Sequence, residues 1–358
     1  MTSYSFLYVC RVLKSSNKMC IRDRNETYVF LILLALSFLI QVRSGQFYTS
    51  NNIVDIASAM IVPGLFAVGE FLVILSGGID VSFPALASLT AYATTKLFLN
   101  LDYQGSVLLP MLMAIVIGAV LGMFNGFFVS FLRLPAMIVT LGTASVFKGI
   151  MQGTLESKQL AVIPAGMKAF GKQAIYTATN PVSGLSSKLP AAFLVFVGVL
   201  LLTFLVLRYT MFGRGIYAIG GNESAAYNAG FAVKRTKFLL YLFAGVIASV
   251  AGIIRVCMMQ QCHPTNMLGM EMNIVAGVVL GGTAIVGGKG TLTGCVLGTL
   301  LIVLVENSMI LIGVPVVWKD VFVGLLIVIG TAVSAYQATH SGTKRRTRTQ
   351  AKEAQHNG

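Results

Sequence analysis

Charge is what this chain has least of. Only 11% of its 358 residues are Asp, Glu, Lys or Arg, against about 25% in a typical soluble domain. That shortage excludes an ordinary water-soluble globule. Histidine is nearly absent too: His263, His340 and His356 are the only three, and two of them fall in the last twenty residues. No grouping of Ser, His and Asp and no paired carboxylates stand out, so the chain is expected not to be an enzyme. The five cysteines, Cys10, Cys20, Cys257, Cys262 and Cys295, are an odd number without metal or redox spacing, which predicts no required disulfide and no metal. A complete phosphate loop is missing as well. In Gly287-Gly288-Lys289-Gly290-Thr291 a glycine follows the lysine, and Thr283 stands where the first glycine belongs. The chain is therefore expected to bind no cofactor, ATP included.

What is present is apolar. Hydrophobic residues make up 56% of the chain and the mean hydropathy is +0.82. The net charge of +14 is spread between apolar runs and does not form a stripe interleaved with aromatics, which argues against nucleic acid. It suits the cytoplasmic loops of a membrane protein, which keep an excess of Lys and Arg. Runs of helical length fall at about 28–42, 53–75, 82–99, 107–131, 136–153, 190–208, 237–259, 271–287, 291–312 and 317–336. These predict an all-α, polytopic transmembrane fold with about ten spans. Both termini then lie in the cytoplasm, and Arg133, Arg208, Arg214, Lys234, Arg235, Lys237 and Lys289 share that side. The segment 154–189 would be a long external loop despite Lys158, Lys168, Lys172 and Lys188. Trp318 suits an interfacial anchor at the external edge.

Three units follow: residues 1–24, a permease domain over 25–338, and a basic cytoplasmic tail over 339–358 containing Lys344, Arg345, Arg346, Arg348 and Lys352. The string from Lys18 to Arg24 reads like the translation of a transposon end used in sequencing libraries. Residues 1–24 are thus either artefactual or an ordinary basic tail.

Glycine and proline are abundant in and beside the runs, as at Pro63, Gly64, Gly69, Gly77 and Gly78, where they allow close packing or a broken helix. Val73–Gly78 and Val278–Gly282 echo one another faintly, which allows a fold of two related halves. Gly77, Gly78 and Asp80 supply a break and a carboxylate that could cap the next helix. Asn222 before Glu223, Ala225 and Ala226 reads as a capped short helix between two spans. Glu70, Lys148, Arg255, Glu271 and Glu306 sit in or near apolar runs, where a bare charge costs at least about 2.5 kcal/mol at a helix centre. Each needs a partner, water or an interface. Asn273 and the pair Glu306-Asn307 could bond neighbouring helices or the hydroxyls of a sugar.

Four stretches together resemble the permease subunits of ribose-type monosaccharide ABC importers. They are Ser76–Ser82, Val139–Thr143, Tyr217–Ala226 with Gly230 following, and Gly269–Asn273 with Val279–Thr283 and Gly287–Thr291. Two positions depart from that pattern: Phe83-Pro84, where a glycine is common, and Glu70, where a neutral residue is common. The resemblance implies a bacterial inner-membrane permease that works as a pair, with ABC ATPase subunits on the cytoplasmic face and an external sugar-binding protein. It also implies that Gly221, Asn222, Glu223, Ala225, Ala226 and Gly230 form the helix that docks on the ATPase, with the small residues permitting close approach. Gly77, Gly78, Asp80, Glu271, Asn273, Glu306 and Asn307 are the candidates for the translocation path or its helix breaks. A carrier driven by protons through Glu70 and Glu306 is the rival reading. A chain beginning at Asn25 is expected to insert in membranes and support uptake as the full chain does; failure of either would show that residues 1–24 are needed.

Overall fold

The computed structural model describes residues 25–328, apart from 154, 156–157, 181–183, 320 and 326–327. Residues 1–24, the tail 339–358 and most of the expected tenth span therefore lie outside the described residues. The helices are α1 (Asn25–Ser44), α2 (Ser50–Leu75), α3 (Phe83–Asn100), α4 (Leu108–Ser130), α5 (Ala136–Gly153), α6 (Ala165–Lys172), α7 (Ala192–Tyr209), α8 (Met211–Gly221), α9 (Glu223–Asn228), α10 (Val233–Met259), α11 (Glu271–Leu280) and α12 (Leu292–Ile312). Among the described residues, six of these are long and apolar enough to cross a membrane: α1 from Glu26, α2, α4, α7, α10, and α12 through Met309. The chain is thus a mostly helical, polytopic protein.

The expected run at 271–287 takes a different form. Helix α11 is 10 residues long, about 15 Å at 1.5 Å per residue, or half a hydrocarbon core of about 30 Å. Hydropathy continues past Leu280, but Gly282 adopts φ +92° and ends the helix. The segment 154–189 is not a plain loop either. It holds α6 and an antiparallel hairpin, β1 (Ala174–Thr179) and β2 (Ser186–Pro190). The hairpin is fixed to the start of α2: Asn51 Nδ2 donates to the carbonyls of Ala178 (3.3 Å) and Leu185 (3.0 Å), and Ser58 Oγ donates to that of Lys188 (3.1 Å). Helix α2 has 26 residues, or about 39 Å, so the hairpin and Leu75 lie at opposite ends of that helix.

Helices α2 and α10 form the buried axis, with Ile61, Leu65, Val68, Phe71, Ile253 and Ile254 fully or almost fully shielded. Large apolar side chains of α1, α4 and α7 point outward, among them Phe38, Leu112, Val116, Leu201 and Leu202. Such a belt suits hydrocarbon better than water. Helices α4 and α10 cross through glycine. Gly118, Gly122 and Gly126 recur every fourth residue, and a Cβ on Gly126 would meet the Phe238 carbonyl at 3.0 Å, while one on Gly245 would reach the Gly122 Cα at 2.8 Å. Small residues at this spacing let helix backbones touch, which van der Waals packing in a membrane requires. Cys257, Cys262 and Cys295 are free, buried thiols. Desolvation pushes the Cys262 thiol, just beyond α10, up to about 12, so it stays protonated and unreactive near neutral pH.

The crossing generates a test. A Gly122→Val side chain would overlap the Tyr241 carbonyl, and overpacking of this kind costs about 1–3 kcal/mol. Gly198, on α7, has no atom within 4 Å of an added Cβ. Thermal unfolding in detergent should therefore show a lower midpoint for Gly122→Val and no change for Gly198→Val.

Candidate functional site

The capped helix expected from Asn222 is present. Asn222 Oδ1 accepts the Ala225 amide at 2.9 Å, opening α9, and Glu223 in its first turn forms an ion pair with Lys237 of α10 at 2.6 Å. The amides of Gly230 and Phe231 return to the carbonyls of Tyr227 and Ala226 at 3.0 and 3.1 Å, with Gly230 at φ +86°. That left-handed glycine closes the helix in a Schellman motif. Ala226 points inward and packs with Ile219, Val233 and Phe231. Ala225 and Gly230 are exposed. The three small residues thus do different things: Ala226 seats α9 on its own protein, Gly230 turns the chain, and Ala225 remains on the outer face.

The same motif ends two other helices. The Gly77 and Gly78 amides donate to the Ile74 and Val73 carbonyls (2.9 and 3.2 Å), and those of Gly282 and Thr283 donate to Val279 and Val278 (2.9 and 3.3 Å). Gly77 has φ +86° and Gly282 φ +92°. The sequence echo between the two segments is therefore a likeness of helix ends.

These ends meet beneath α9. The Gly288 amide donates to the Leu75 carbonyl at 2.9 Å. A Cβ on Gly287 would lie 2.6 Å from the Gly77 nitrogen, and one on Gly288 would lie 2.6 Å from the Gly221 Cα. One on Gly220 would overlap the Leu75 carbonyl. Tyr217 of α8 ties the same place down by donating to the Gly290 carbonyl at 3.1 Å. The turn after α2, the end of α8 and the loop after α11 cross here with backbone against backbone.

Beyond Gly78 the chain is held by side chains from three helices. Glu70 Oε1 of α2 accepts the Asp80 amide (3.2 Å), and Thr140 Oγ1 of α5 accepts the Val81 amide (3.2 Å). Asn125 Nδ2 of α4 donates to Ser82 Oγ (2.8 Å), which donates to Asp80 Oδ1 (2.6 Å). Asp80 Oδ1 also accepts the Ser82 amide at 2.7 Å. The carboxylate therefore organises the turn that leads into α3, just ahead of the helix itself. Glu70 and Phe83, the two departures from the family pattern, face each other across a void of about 10 Å³, also lined by Asp80 and Phe66. The rings of Phe66 and Phe83 pack at a tilt of 48° with centroids 5.1 Å apart.

The remaining candidates sit apart from this junction. Asn273 Nδ2 of α11 donates to Glu306 Oε1 of α12 at 3.2 Å, and Lys319 pairs with the same oxygen at 3.2 Å. Glu271 accepts the Gly269 amide at 2.9 Å, and Asn307 is half-buried. Asn125, Thr140, Tyr241 and Gly220 are contributors that the sequence did not single out. Thr140 and Gly220 lie within two of the family-like stretches and Asn125 and Tyr241 within apolar runs, and contacts with residues far away in sequence place each of them here.

A groove of about 860 Å³ opens beside the junction, between α9 and the turn joining α4 to α5. Its walls carry Arg133, Lys234 and Arg235, and its floor carries Gly78, Ser130 and Tyr241. Arg133 has φ +55°, a left-handed conformation that costs a non-glycine residue about 1–2 kcal/mol.

Known proteins resemble the chain along most of its length. The ribose import permease protein of Escherichia coli (strain K12) is 31% identical over 309 residues, 86% of this chain and 93% of that one. The autoinducer 2 import system permease protein of Yersinia pseudotuberculosis (serotype O:3, strain YPIII) is 29% identical over 307 residues, 86% of this chain and 84% of that one. Its counterpart in Enterobacter sp. (strain 638) is 32% identical over 302 residues, 84% of each chain. No solved structure matches the chain. Residues 52–330 match the family model described as branched-chain amino acid transport system / permease component, and the chain belongs to that family.

Proposed function

We propose that the chain is the membrane-spanning permease subunit of an ABC importer that carries a simple sugar, such as a ribose-like monosaccharide or a small polyol, across a bacterial cytoplasmic membrane. The observation that carries the mechanism is the backbone crossing of Leu75, Gly220 and Gly288 at the base of α9. With no side chain between the three segments, a displacement of α9 passes directly to the end of the buried helix α2 and to the loop behind the half-length α11. The link from α9 to that crossing is a single extended residue, Asn222. Helix α9 is the element on which cytoplasmic ATPase subunits act, with Ala225 on its outer face, and ATP is used there and not by this chain. Arg133, Lys234, Arg235, Lys237 and Lys289 gather at this end, which supports a cytoplasmic side. The hairpin end then faces outward, where a sugar-binding protein delivers cargo. A second permease copy or a paralogue completes the pathway. The ten-span topology, with both termini inside, fits this arrangement.

The proton-driven reading is not favoured. Glu306 is engaged by Asn273 and Lys319, and Glu70 accepts the Asp80 amide, so each carboxylate has a structural task. The relatives are import-system permeases.

Purified permease in liposomes is expected to accumulate no sugar under a proton gradient and to do so only with its ATPase, ATP and loaded binding protein. Accumulation by the permease alone would remove the ATP-driven reading. A second test puts bulk on the outer face of α9. Ala225→Trp leaves the backbone unstrained, yet it should keep the helix from seating. At about 1–3 kcal/mol for an overpacked contact, uptake should fall about tenfold, with sugar binding to the external protein unchanged. Undiminished uptake and hydrolysis in a correctly inserted variant would make α9 a connector only.

A further inference from the structure

Helix α5 turns outward a face that does not suit lipid. It has 18 residues, about 27 Å at 1.5 Å per residue, which nearly matches a hydrocarbon core of about 30 Å. It runs from the clamp, where Thr140 accepts the Val81 amide, toward Leu155 and Lys158, whose carbonyls accept Tyr92 Oη of α3 at 3.1 and 2.9 Å. Val139, Phe147 and Met151 are buried on its inner side. The outer side carries Gly142, Ser145, Gly149 and Gln152, all exposed, with Lys148 half-buried beside them. Ser145, Lys148 and Gln152 are spaced by three and four residues and therefore share one face. Lys148 lies about 18 Å along the helix from Ala136, well inside the core. Neither Lys148 nor Gln152 has a side-chain partner among the described residues, and nothing lies within 4 Å of a Cβ added at Gly142 or Gly149. Helices α4 and α7, by contrast, turn out Leu112, Val116, Leu201 and Leu202. A lysine at the centre of a lipid-facing helix costs at least about 2.5 kcal/mol, and intramembrane lysines face protein or a water-filled cavity.

We propose that this face of α5 lines the cargo path, with Lys148 and Gln152 bonding the hydroxyls of the passing sugar and a second copy of the chain forming the opposite wall. The ammonium of lysine donates three hydrogen bonds and an amide both donates and accepts, as a polyol requires. The glycines and Ser145 leave width where larger side chains would narrow the path. A wall of one polar helix needs a second polar wall to keep lipid out, and a copy related by a two-fold axis presents the identical face. The inner side of the same helix holds the turn after α2 through Thr140, so the element that meets cargo also clamps the junction. That the path carries sugar rests on the function proposed above. That the face meets water and a second copy stands on α5 alone.

The test places single cysteines in the full chain in liposomes, with the unsubstituted chain as the blank. Ser145→Cys should react with a charged, water-soluble methanethiosulfonate supplied on both sides, and Val116→Cys on α4 should not. An unreactive Ser145→Cys would overturn the water-lined path. A bifunctional maleimide should join two chains carrying Gly149→Cys, and absence of that dimer would overturn the second copy as the opposite wall. Saturating ribose should slow the labelling of Ser145→Cys about tenfold, and Lys148→Ala with Gln152→Ala should remove the protection. Labelling that ribose does not slow, or protection that survives the double substitution, would overturn the contact with cargo. In the complete importer the same double substitution should lower ribose uptake about tenfold, and undiminished uptake would overturn that contact as well. An importer inactive without any substitution would count against the transport reading, leaving the labelling and cross-linking results to stand separately.

Discussion

Three chain segments cross at the carbonyl of Leu75, and the rest of the structure is arranged so that they can. The approach is closed to any residue with a side chain: a methyl group on Gly220 would overlap that carbonyl, and one on Gly288 would lie 2.6 Å from Gly221. Glycine is otherwise an expense to a fold, since it gives up more conformational freedom than any other residue. Here it serves two ends at once. Gly77 supplies the positive φ that ends α2, and the lack of a Cβ lets the loop after α11 lie directly on the backbone.

A crossing of this kind must be held in register from elsewhere, because backbone contact alone has little lateral preference. The polar clamp on Asp80 and Ser82 provides the register. Glu70, Asn125 and Thr140 come from α2, α4 and α5 and hold the four residues after Gly78. In an apolar medium these hydrogen bonds have no water to compete with them, and leaving their groups unpaired would be more costly than in a soluble protein. The clamp therefore rigidifies the turn on one side of the crossing, and the α8–α9 pair, capped at both ends, does so on the other.

The helices were legible because hydropathy reports burial or lipid directly. The run at 136–153 coincides with α5, and those at 53–75 and 107–131 differ from α2 and α4 by three residues or fewer. Where hydropathy and backbone conformation disagree, the prediction went astray: apolar residues continue through Val286, while a positive φ at Gly282 has already ended α11. The hairpin at 174–190 was missed because its strands, six and five residues long, are half polar and are fixed by Asn51 and Ser58, far away in sequence. The cap at Asn222 was readable as a local pattern. The meeting of residues 75, 220 and 288 was not, since no periodicity records a contact between segments so far apart.

The same geometry limits how the molecule can move. Helix α9 is fixed to α10 by the Glu223–Lys237 ion pair and to the junction through Gly220 and Gly221. Of these, the ion pair is the softer link: Glu223 is half-exposed, and pairs in such a setting contribute about 0–1 kcal/mol. The backbone crossing has no comparable slack. On the reading of α9 proposed above, a load on it would break the ion pair before the backbone crossing that joins the end of α8, the end of α2 and the loop after α11.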